Sequence, residues 1–330
     1  MGQKDITTKD YVKENAVFAD AFNKYIYKGE QVIKPENLKP LDTDLTALPY
    51  GADGAGAPIQ KYRDVLKSAT VMVDDKAAYL LLGIESQSEV NHAMPVRNMV
   101  YDALQYSAQV EEAARSHREA RKAGDPKEQA KKLTAGEFLS GFHKEDRLIP
   151  VVTLAVYFGA GEWDGPMSLH EMLSVQEPEI LSFVSDYKLN LIAPEHMSDE
   201  EIDQFQTSLR EVMLFIKHSK DKTKLNEMVQ KDDRFKNMDR NAARVVSSVT
   251  GVEFKVDEEE EKVDMCQALK EMMEEANCEG REAGRQEGAQ DERIAMARRM
   301  LQEGGLSIDF IARMTGLLPE EVQALALEAM

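Results

Sequence analysis

Two acidic residues and an amide stand at the ends of predicted strands in the first third of the chain. Glu85 follows the apolar run Tyr79–Ile84, whose length and residue types are typical of a buried strand. Because side chains alternate along a strand, Glu85 and Gln87 are expected on the same face. Asp64 precedes a second β-rich stretch, Val71–Val73. The sequence therefore places a carboxylate at the end of each of two predicted strands.

The separation of Asp64 and Glu85 leaves room for an antiparallel hairpin with its turn at Asp74-Asp75-Lys76. Such a hairpin would return Asp64 to the side of Glu85. Two carboxylates at one end of a sheet form a hard-oxygen site for Mg²⁺, which keeps several waters that a phosphate can share. We therefore predict that Asp64 and Glu85 bind Mg²⁺, with Mn²⁺ as a substitute. On spacing alone a structural alternative stays open, in which Glu85 caps a strand and Asp64 pairs with Arg63 or Lys67.

A long helix is predicted directly after this hairpin, over Pro95–Arg121, with proline in its opening turn. Arg97, Tyr101 and Gln105 recur every four residues and so share one polar stripe of the helix. The stripe either contacts phosphate or DNA, together with Lys67, or is a buried hydrogen-bonding face. Arg97 is the best phosphate ligand of the stripe, because its guanidinium presents a fixed fork of donors.

The remaining patterns predict an α/β fold. The run Leu148–Phe158 is apolar on both faces and is expected to be a central strand covered by helices. Trp163 is expected to pin the turn that follows rather than to contact substrate. From Ser198 the spacing is helical, with a capping box of Ser198 and Glu201 and one long helix through Ile216. We expect a small mixed sheet flanked by helices, then a helical extension and a C-terminal helical tail.

Longer stretches around these residues resemble a known family. The order Asp64, Glu85-Ser86-Gln87 and a helix near Pro95 is similar to the PD-(D/E)XK nuclease core, in the variant where Gln replaces the usual Lys. Over roughly residues 10–200 the chain resembles the recombination-promoting nuclease (Rpn) and transposase family of bacteria. The stretches that carry this resemblance are Arg63–Lys67, Leu82–Gln87, Ala93–Met99, Tyr101–Tyr106, Tyr157–Gly159 and Trp163–Pro166.

The resemblance implies a metal-dependent DNA endonuclease that hydrolyses phosphodiester bonds and promotes recombination or transposition. Asp64 and Glu85 would hold the metal as catalytic residues. Gln87 would hydrogen-bond the water or the phosphate without contributing the charge of a lysine. The alternative is a catalytically weak or inactive nuclease fold that serves as an interaction or regulatory module.

A first helix is predicted over Tyr11–Tyr27, with its end near Gly29. It carries Glu14 and Asp20. The PD-(D/E)XK resemblance implies that a first helix often lends one acid to the metal. Asp20 is therefore a further candidate metal ligand, and solvated faces for both acids are the alternative.

The composition limits the function classes. A net charge of −19 argues against strong non-specific DNA binding, although part of it lies in the block Asp257–Glu261. The six histidines show no metal-ligand spacing, so the sequence predicts no zinc site. Cys266 and Cys278 form no Cys-x-x-Cys and are expected to be reduced. No apolar run suggests a signal peptide or a membrane helix. We expect a cytoplasmic protein without a membrane partner.

The predicted organisation has three parts: a nuclease-like domain over 10–195, a helical extension over 196–256, and an acidic segment with a long helix and a helical hairpin over 257–330. Gly280, Gly284 and Gly288 lie along one side of the long helix, which favours pairing with a second copy or a frayed linker. The hairpin has the outline of a helix-turn-helix. Its second helix carries Glu320 and Glu321, which favours protein interaction, and hence a homo-oligomer, over DNA reading.

Overall fold

A computed structural model describes residues 3–41, 44–47, 59–62, 64–73, 76–252 and 260–328. Arg63, the predicted turn residues Asp74-Asp75 and most of the acidic block Asp257–Glu261 lie outside the described residues. The helices are α1 Gln3–Val12, α2 Asn15–Tyr27, α3 Met94–Lys122, α4 Pro126–Ala130, α5 Ala135–Ser140, α6 Pro178–Leu181, α7 Asp199–Ile202, α8 Leu209–His218, α9 Lys222–Lys231, α10 Arg240–Thr250, α11 Met265–Glu303, α12 Ile308–Thr315 and α13 Pro319–Glu328. The strands are β1 Leu38–Pro40, β2 Asp44–Ala47, β3 Ile59–Tyr62, β4 Val65–Val73, β5 Lys76–Gln87, β6 Val151–Tyr157, β7 Asn190–Ile192, β8 Met238–Asp239 and β9 Lys262–Val263.

Within the described chain, five strands form one mixed sheet in the order β1-β4-β5-β6-β7. The pairs β1–β4 and β4–β5 are antiparallel, whereas β5–β6 and β6–β7 are parallel. A parallel neighbour requires a crossover, and α3 lies in the crossover between β5 and β6. The strand β6 has a neighbour on each side and is almost wholly buried, as its apolar run predicts. The α/β fold is confirmed.

The hairpin of β4 and β5 brings the predicted site together. Val65 lies opposite Ile84, and the pairing continues residue by residue to Val73 opposite Lys76. The residues just beyond the first pair are Asp64 and Glu85. Because directly opposed residues of an antiparallel pair share a face, this register sets the two carboxylates side by side. The predicted antiparallel hairpin is confirmed.

The single helix predicted over Tyr11–Tyr27 corresponds to the last residues of α1 and the whole of α2. Glu14 has an extended backbone and begins α2, so the chain breaks between Val12 and Asn15. The new helix α1 packs on β5. The end near Gly29 is confirmed, because Lys28 and Gly29 have φ of 54° and 96°, outside the right-handed helical region.

The turn after β6 is held by aromatic side chains. Trp163 is 3% exposed, and its ring meets Tyr157 edge-on at 5.3 Å between centroids. A Cβ on Gly159 would lie 2.1 Å from the Tyr157 ring, so the close approach at that position requires glycine. The expectation that Trp163 pins this turn is confirmed.

The chain divides into two compact units, Met1–Cys266 and Gln267–Met330. The predicted helical extension over 196–256 belongs to the first unit, because α10 packs against both α1 and α8 and buries an apolar face there. The predicted long helix from Ser198 is interrupted between α7 and α8, although its capping box of Ser198 and Glu201 is present. Among the described helices, none is long and apolar enough to cross a membrane.

The second unit has a core of its own, formed where the end of α11 packs with α12 and α13. Its buried residues are Ala297, Ile311, Ala312, Leu317 and Val322. Gly316 makes the turn of the predicted hairpin with φ of 73°. A Cβ at Gly280, Gly284 or Gly288 would meet nothing within 4 Å. Association of copies through these helices stays a prediction.

Candidate active site

A cavity of about 440 Å³ lies at the carboxyl end of β5. Its walls come from α1, from the residue before β4, from the end of β5 with the loop that follows, and from the first turn of α3. Charged and polar side chains dominate the lining, among them Asp5, Asp64, Gln87, Glu89, His92 and Arg97. The cavity therefore collects residues from the open end of the β4–β5 hairpin and from α1 and α3.

Asp64 and Glu85 hold each other in place through the backbone. The Asp64 N–H donates to Glu85 Oε1 over 3.2 Å, and the Ser86 N–H donates to Asp64 Oδ2 over 3.1 Å. The Glu85 side chain is completely buried and that of Asp64 is 10% exposed. A carboxylate buried to this degree requires compensating donors or cations.

Arg97 supplies the compensation for Glu85. Its Nη2 lies 3.0 Å from Glu85 Oε2, and its Nε donates to the Tyr101 hydroxyl over 3.1 Å. Burial acts to lower the pKa of Arg97, but Glu85, Tyr101 and Asp64 together outweigh it and the pKa is raised. Burial, reinforced by Glu85, also raises the pKa of Tyr101. At neutral pH the site thus holds a guanidinium that a protonated phenol orients.

Two charged residues of α1, Asp5 and Lys9, also lie at this site and were not predicted from the sequence. Lys9 Nζ lies 3.3 Å from Asp64 Oδ1, and Asp5 Oδ1 accepts a hydrogen bond from the Ser88 hydroxyl over 2.6 Å. The pattern around Tyr11 predicts only the later part of this region as helix. The available signal is the four-residue spacing of Asp5 and Lys9, which places them on one helix face.

Gln87 lies where the sequence predicts, one alternation beyond Glu85 in β5 and in the lining of the cavity. Its side-chain amide donates to the Ser86 carbonyl over 3.0 Å. The stripe on α3 divides: Arg97 lines the cavity, whereas Tyr101 and Gln105 are 3% and 7% exposed. For Tyr101 and Gln105 the buried-face alternative fits the structure better than direct contact with DNA.

The structure does not bring Lys67 to the carboxylates. Its ammonium donates to the Lys13 carbonyl and to Asn15 Oδ1, both over 2.6 Å, and lies 4.6 Å from the centre of the Phe18 ring. Burial lowers the pKa of Lys67 to about 8. Lys67 is three residues from Asp64 along the chain, so alternation directs the two side chains to opposite faces. The expectation that Lys67 contacts phosphate at this site is therefore corrected: its ammonium lies on the opposite face of β4 from Asp64.

Asp20 is engaged elsewhere in the same unit. Its carboxylate accepts the backbone N–H groups of Gln206 and Thr207 and the Thr207 hydroxyl, at 2.6 to 3.0 Å. Glu14 accepts from the Asn241 amide over 2.7 Å. Among the described residues that line the cavity, the acid from the first helical region is Asp5. The acid that this region brings to the cavity is therefore Asp5 of α1, whereas Asp20 lies away from it on Gln206 and Thr207.

Residues 134–244 match the sequence model of the family described as "Putative transposase, YhgA-like". The predicted resemblance to this family is confirmed over that segment, which includes Tyr157–Gly159 and Trp163–Pro166. The residues that line the carboxylate cavity all lie before residue 134 and so outside the matched segment. The matched segment includes β6, which pairs with β5. No curated protein and no solved structure matches the chain.

Proposed function

Given that the chain is a relative of the YhgA-like transposases over residues 134–244, we propose that it is a metal-dependent DNA endonuclease with a PD-(D/E)XK-like core. The family match supports a transposase-like or nuclease-like function in general. One observation carries the finer proposal: Asp64, which lines a polar cavity, is joined by a hydrogen bond to the fully buried Glu85 directly behind that lining.

The order of elements supports the PD-(D/E)XK-like core. Asp64 stands immediately before β4, Glu85 and Gln87 end the antiparallel partner β5, and α3 follows directly. This is the order that the resemblance implies for the motif residues. The parallel strand β6 then joins the sheet beside the candidate site.

The side chains at the cavity fit Mg²⁺. Asp64 and Asp5 bring carboxylate oxygens to the lining, and the buried Glu85 lies directly behind Asp64, which is the oxygen chemistry that Mg²⁺ and Mn²⁺ prefer. When bound, the ion supplies a Lewis acid that polarises a phosphate and lowers the pKa of a coordinated water. Asp64 and Glu85 are the residues proposed to hold it.

Lys9 supplies the positive charge that position 87 lacks. A lysine in place of Gln87 would present an ammonium to the phosphate, whereas the amide presents a hydrogen bond only. The ammonium of Lys9 reaches the same cavity wall from α1 through its contact with Asp64. It is placed to stabilise negative charge that develops on a phosphate during hydrolysis.

Arg97 is placed to bind a phosphate oxygen. Its side chain is 37% exposed although its partner Glu85 is buried, so part of the guanidinium faces the cavity. A planar guanidinium binds phosphate through paired hydrogen bonds. Tyr101 fixes the Nε side of the group and so orients its remaining donors.

A plasmid assay tests the proposal. Supercoiled DNA is incubated with the native chain at low salt, because a net charge of −19 weakens DNA affinity, with Mg²⁺, Mn²⁺ or neither. Asp64→Asn and Glu85→Gln are expected to abolish metal-dependent nicking. Glu162→Gln, which changes an exposed acid after β6, is the matched control and is expected to cut normally.

Two results would contradict the proposal. Equal cutting by the native chain, Asp64→Asn and Glu85→Gln would assign the activity to another site or to a contaminant. A native chain that binds DNA or a protein but cuts nothing with either ion would favour the interaction-module alternative.

A further inference from the structure

The connection between α3 and β6 is anchored by polar side chains. All residues of 123–150 are described, and those that are buried are Glu128 and His143. The large apolar side chains of α5 point outward, with Phe138 71% and Leu139 83% exposed. A segment of this length normally packs through apolar groups. Something other than an apolar core therefore holds this connection to the domain.

Glu128 and His143 meet His117 of α3. The His117 and His143 rings stack with centroids 3.6 Å apart, and His117 Nδ1 lies 3.4 Å from Glu128 Oε2. One nitrogen or oxygen of each of the three residues lies within 4.8 Å of the others. Three potential metal ligands thus converge from α3, from α4 and from the loop after α5.

Two buried atoms of this cluster have no hydrogen bond among the described residues. They are Glu128 Oε2 and His143 Nδ1. The two residues are 8% and 3% exposed, so water does not replace the missing partners freely. An unsatisfied buried polar group costs roughly 1–3 kcal/mol, and two in one cluster indicate a ligand that both atoms face.

The neighbours of the cluster orient its free atoms. His117 Nε2 lies 3.0 and 3.1 Å from the two Asp146 carboxylate oxygens. The backbone N–H of His143 donates to Asp146 Oδ2 over 2.7 Å. Lys131 Nζ donates to Glu128 Oε1 over 2.6 Å. A neutral His117 that donates from Nε2 to Asp146 presents Nδ1 as an acceptor, and Lys131 leaves Glu128 Oε2 available. A carboxylate behind a histidine is typical of metal-binding imidazoles.

We propose that His117, Glu128 and His143 bind Zn²⁺, or a chemically similar transition-metal ion, at a site separate from the carboxylate cavity. Two imidazole nitrogens and one carboxylate oxygen are ligands that suit Zn²⁺, with a fourth position for water. Mg²⁺ prefers an all-oxygen site and is not expected to bind here. The ion would tie α4 and the loop after α5 to α3, in place of an apolar core.

Metal binding to the full-length chain tests the site directly. Cys278 is exposed and could bind metal by itself, so all variants carry Cys278→Ser. Zn²⁺ affinity is measured by competition with a chromophoric chelator, and Co²⁺ is titrated as a spectroscopic probe. We expect one Zn²⁺ per chain at this site, a visible Co²⁺ band, and a rise in melting temperature with Zn²⁺ that His117→Gln and His143→Gln abolish.

The variants separate this site from the carboxylate cavity. His117→Gln and His143→Gln are expected to weaken Zn²⁺ binding at least tenfold and to remove the Co²⁺ band. His196→Gln, which changes an exposed histidine elsewhere, is the matched control and should bind as the parent does. Glu85→Gln should also bind normally, so the outcome is independent of nuclease activity.

Asp146→Asn keeps all three ligands, so it tests the site even if the ligand variants fail to fold. It is expected to weaken Zn²⁺ binding about tenfold or more, because the orienting hydrogen bond to His117 changes. The proposal is overturned if the parent binds no Zn²⁺ or if His117→Gln and His143→Gln bind as tightly as the parent. Loss of binding in Glu85→Gln alone would place the ion in the carboxylate cavity and would equally overturn it.

Discussion

Two acids in the first unit, Glu85 and Asp20, are buried to nearly the same degree but have different partners. Glu85 is 0% and Asp20 is 2% exposed. Asp20 accepts the N–H groups of Gln206 and Thr207, so uncharged backbone dipoles surround it. Glu85 accepts one backbone N–H from Asp64 and faces the guanidinium of Arg97 beside a cavity.

The comparison shows that burial of a carboxylate does not by itself mark a functional site. Backbone donors fixed in a loop satisfy Asp20 and at the same time interrupt the helix between α7 and α8, because Gln206 and Thr207 donate to the carboxylate. The Arg97 guanidinium contacts Glu85 and Tyr101 and also lines the cavity, where its remaining donors can bind a ligand. The type of partner, and the cavity next to it, distinguish the proposed active site from a structural buried acid.

The largest expected effect comes from Lys9, whose ammonium contacts Asp64 beside the buried Glu85. Lys9→Met should lower the metal-dependent cleavage rate about 100-fold to 1,000-fold, because it removes a positive charge from a site of developing negative charge. The free energy of unfolding should fall by about 1–3 kcal/mol, because the largely buried Asp64 loses its cation but keeps the Ser86 N–H donor. Single-turnover cleavage and urea unfolding measure the two effects.

Lys13→Met is the matched control, because Lys13 pairs with Asp10 on the exposed side of the same helical region. Its cleavage rate should equal that of the native chain. A Lys9→Met variant that cuts at the native rate would show that Lys9 does not replace the missing lysine.

Removal of Arg97 tests whether the burial of Glu85 depends on a cation. Arg97→Gln should lower the free energy of unfolding by about 2–4 kcal/mol, because it leaves a buried carboxylate without its charged partner. The double variant Glu85→Gln/Arg97→Gln should recover most of that loss. Additive losses in the double variant, measured by urea unfolding, would mean that the two side chains are not coupled.

Asp20 should behave in the opposite way. Asp20→Asn replaces an acceptor by an amide that also donates toward the Thr207 N–H, and should cost about 1–3 kcal/mol of unfolding free energy. Cleavage per folded molecule should not change. Asp10→Asn, an exposed acid on α1, is the control for both measurements. Loss of metal-dependent cleavage in a folded Asp20→Asn variant would show that Asp20 takes part in metal binding or catalysis.

The smallest effect concerns Lys67, a buried cation that is satisfied by neutral oxygens. Burial lowers its pKa from 10.5 to about 8. The unfolded chain therefore holds the proton more tightly between these values, and the contribution of Lys67 to the unfolding free energy rises with pH across this window. Lys67→Met lacks this rise. The free energy of unfolding of the native chain, relative to that of the variant, should rise with pH by on the order of 1 kcal/mol per pH unit within this window. A difference that is flat across the window would contradict the assignment.

Local patterns were sufficient for much of the sheet and for half of the candidate site. Alternation and apolar runs predicted β5, β6, the β4–β5 hairpin and the neighbouring positions of Asp64, Glu85 and Gln87. Capping chemistry predicted the helix starts near Pro95 and at Ser198. These features depend on residues close in sequence or on one antiparallel register, which is why the sequence reveals them.

Contacts between distant segments escaped the sequence. The partners of Asp20 lie some 186 positions away, and those of Lys67 lie at the junction of α1 and α2, which no spacing indicates. His117, Glu128 and His143 follow no metal-ligand spacing, and the composition predicted no zinc site. They meet only because the connection after α3 folds back onto that helix.

The sequence by itself thus determined the α/β class, the acid pair at the hairpin and the helical C-terminal part, because hydrophobic periodicity and turn chemistry act over a few residues. Only the tertiary structure decided that α1 brings Asp5 to the cavity and Lys9 to Asp64, that Asp20 and Lys67 contact other groups, and that His117, Glu128 and His143 meet beside α3. The physical reason is that a charged side chain acquires its role from the groups packed around it, and these come from parts of the chain that local patterns do not relate.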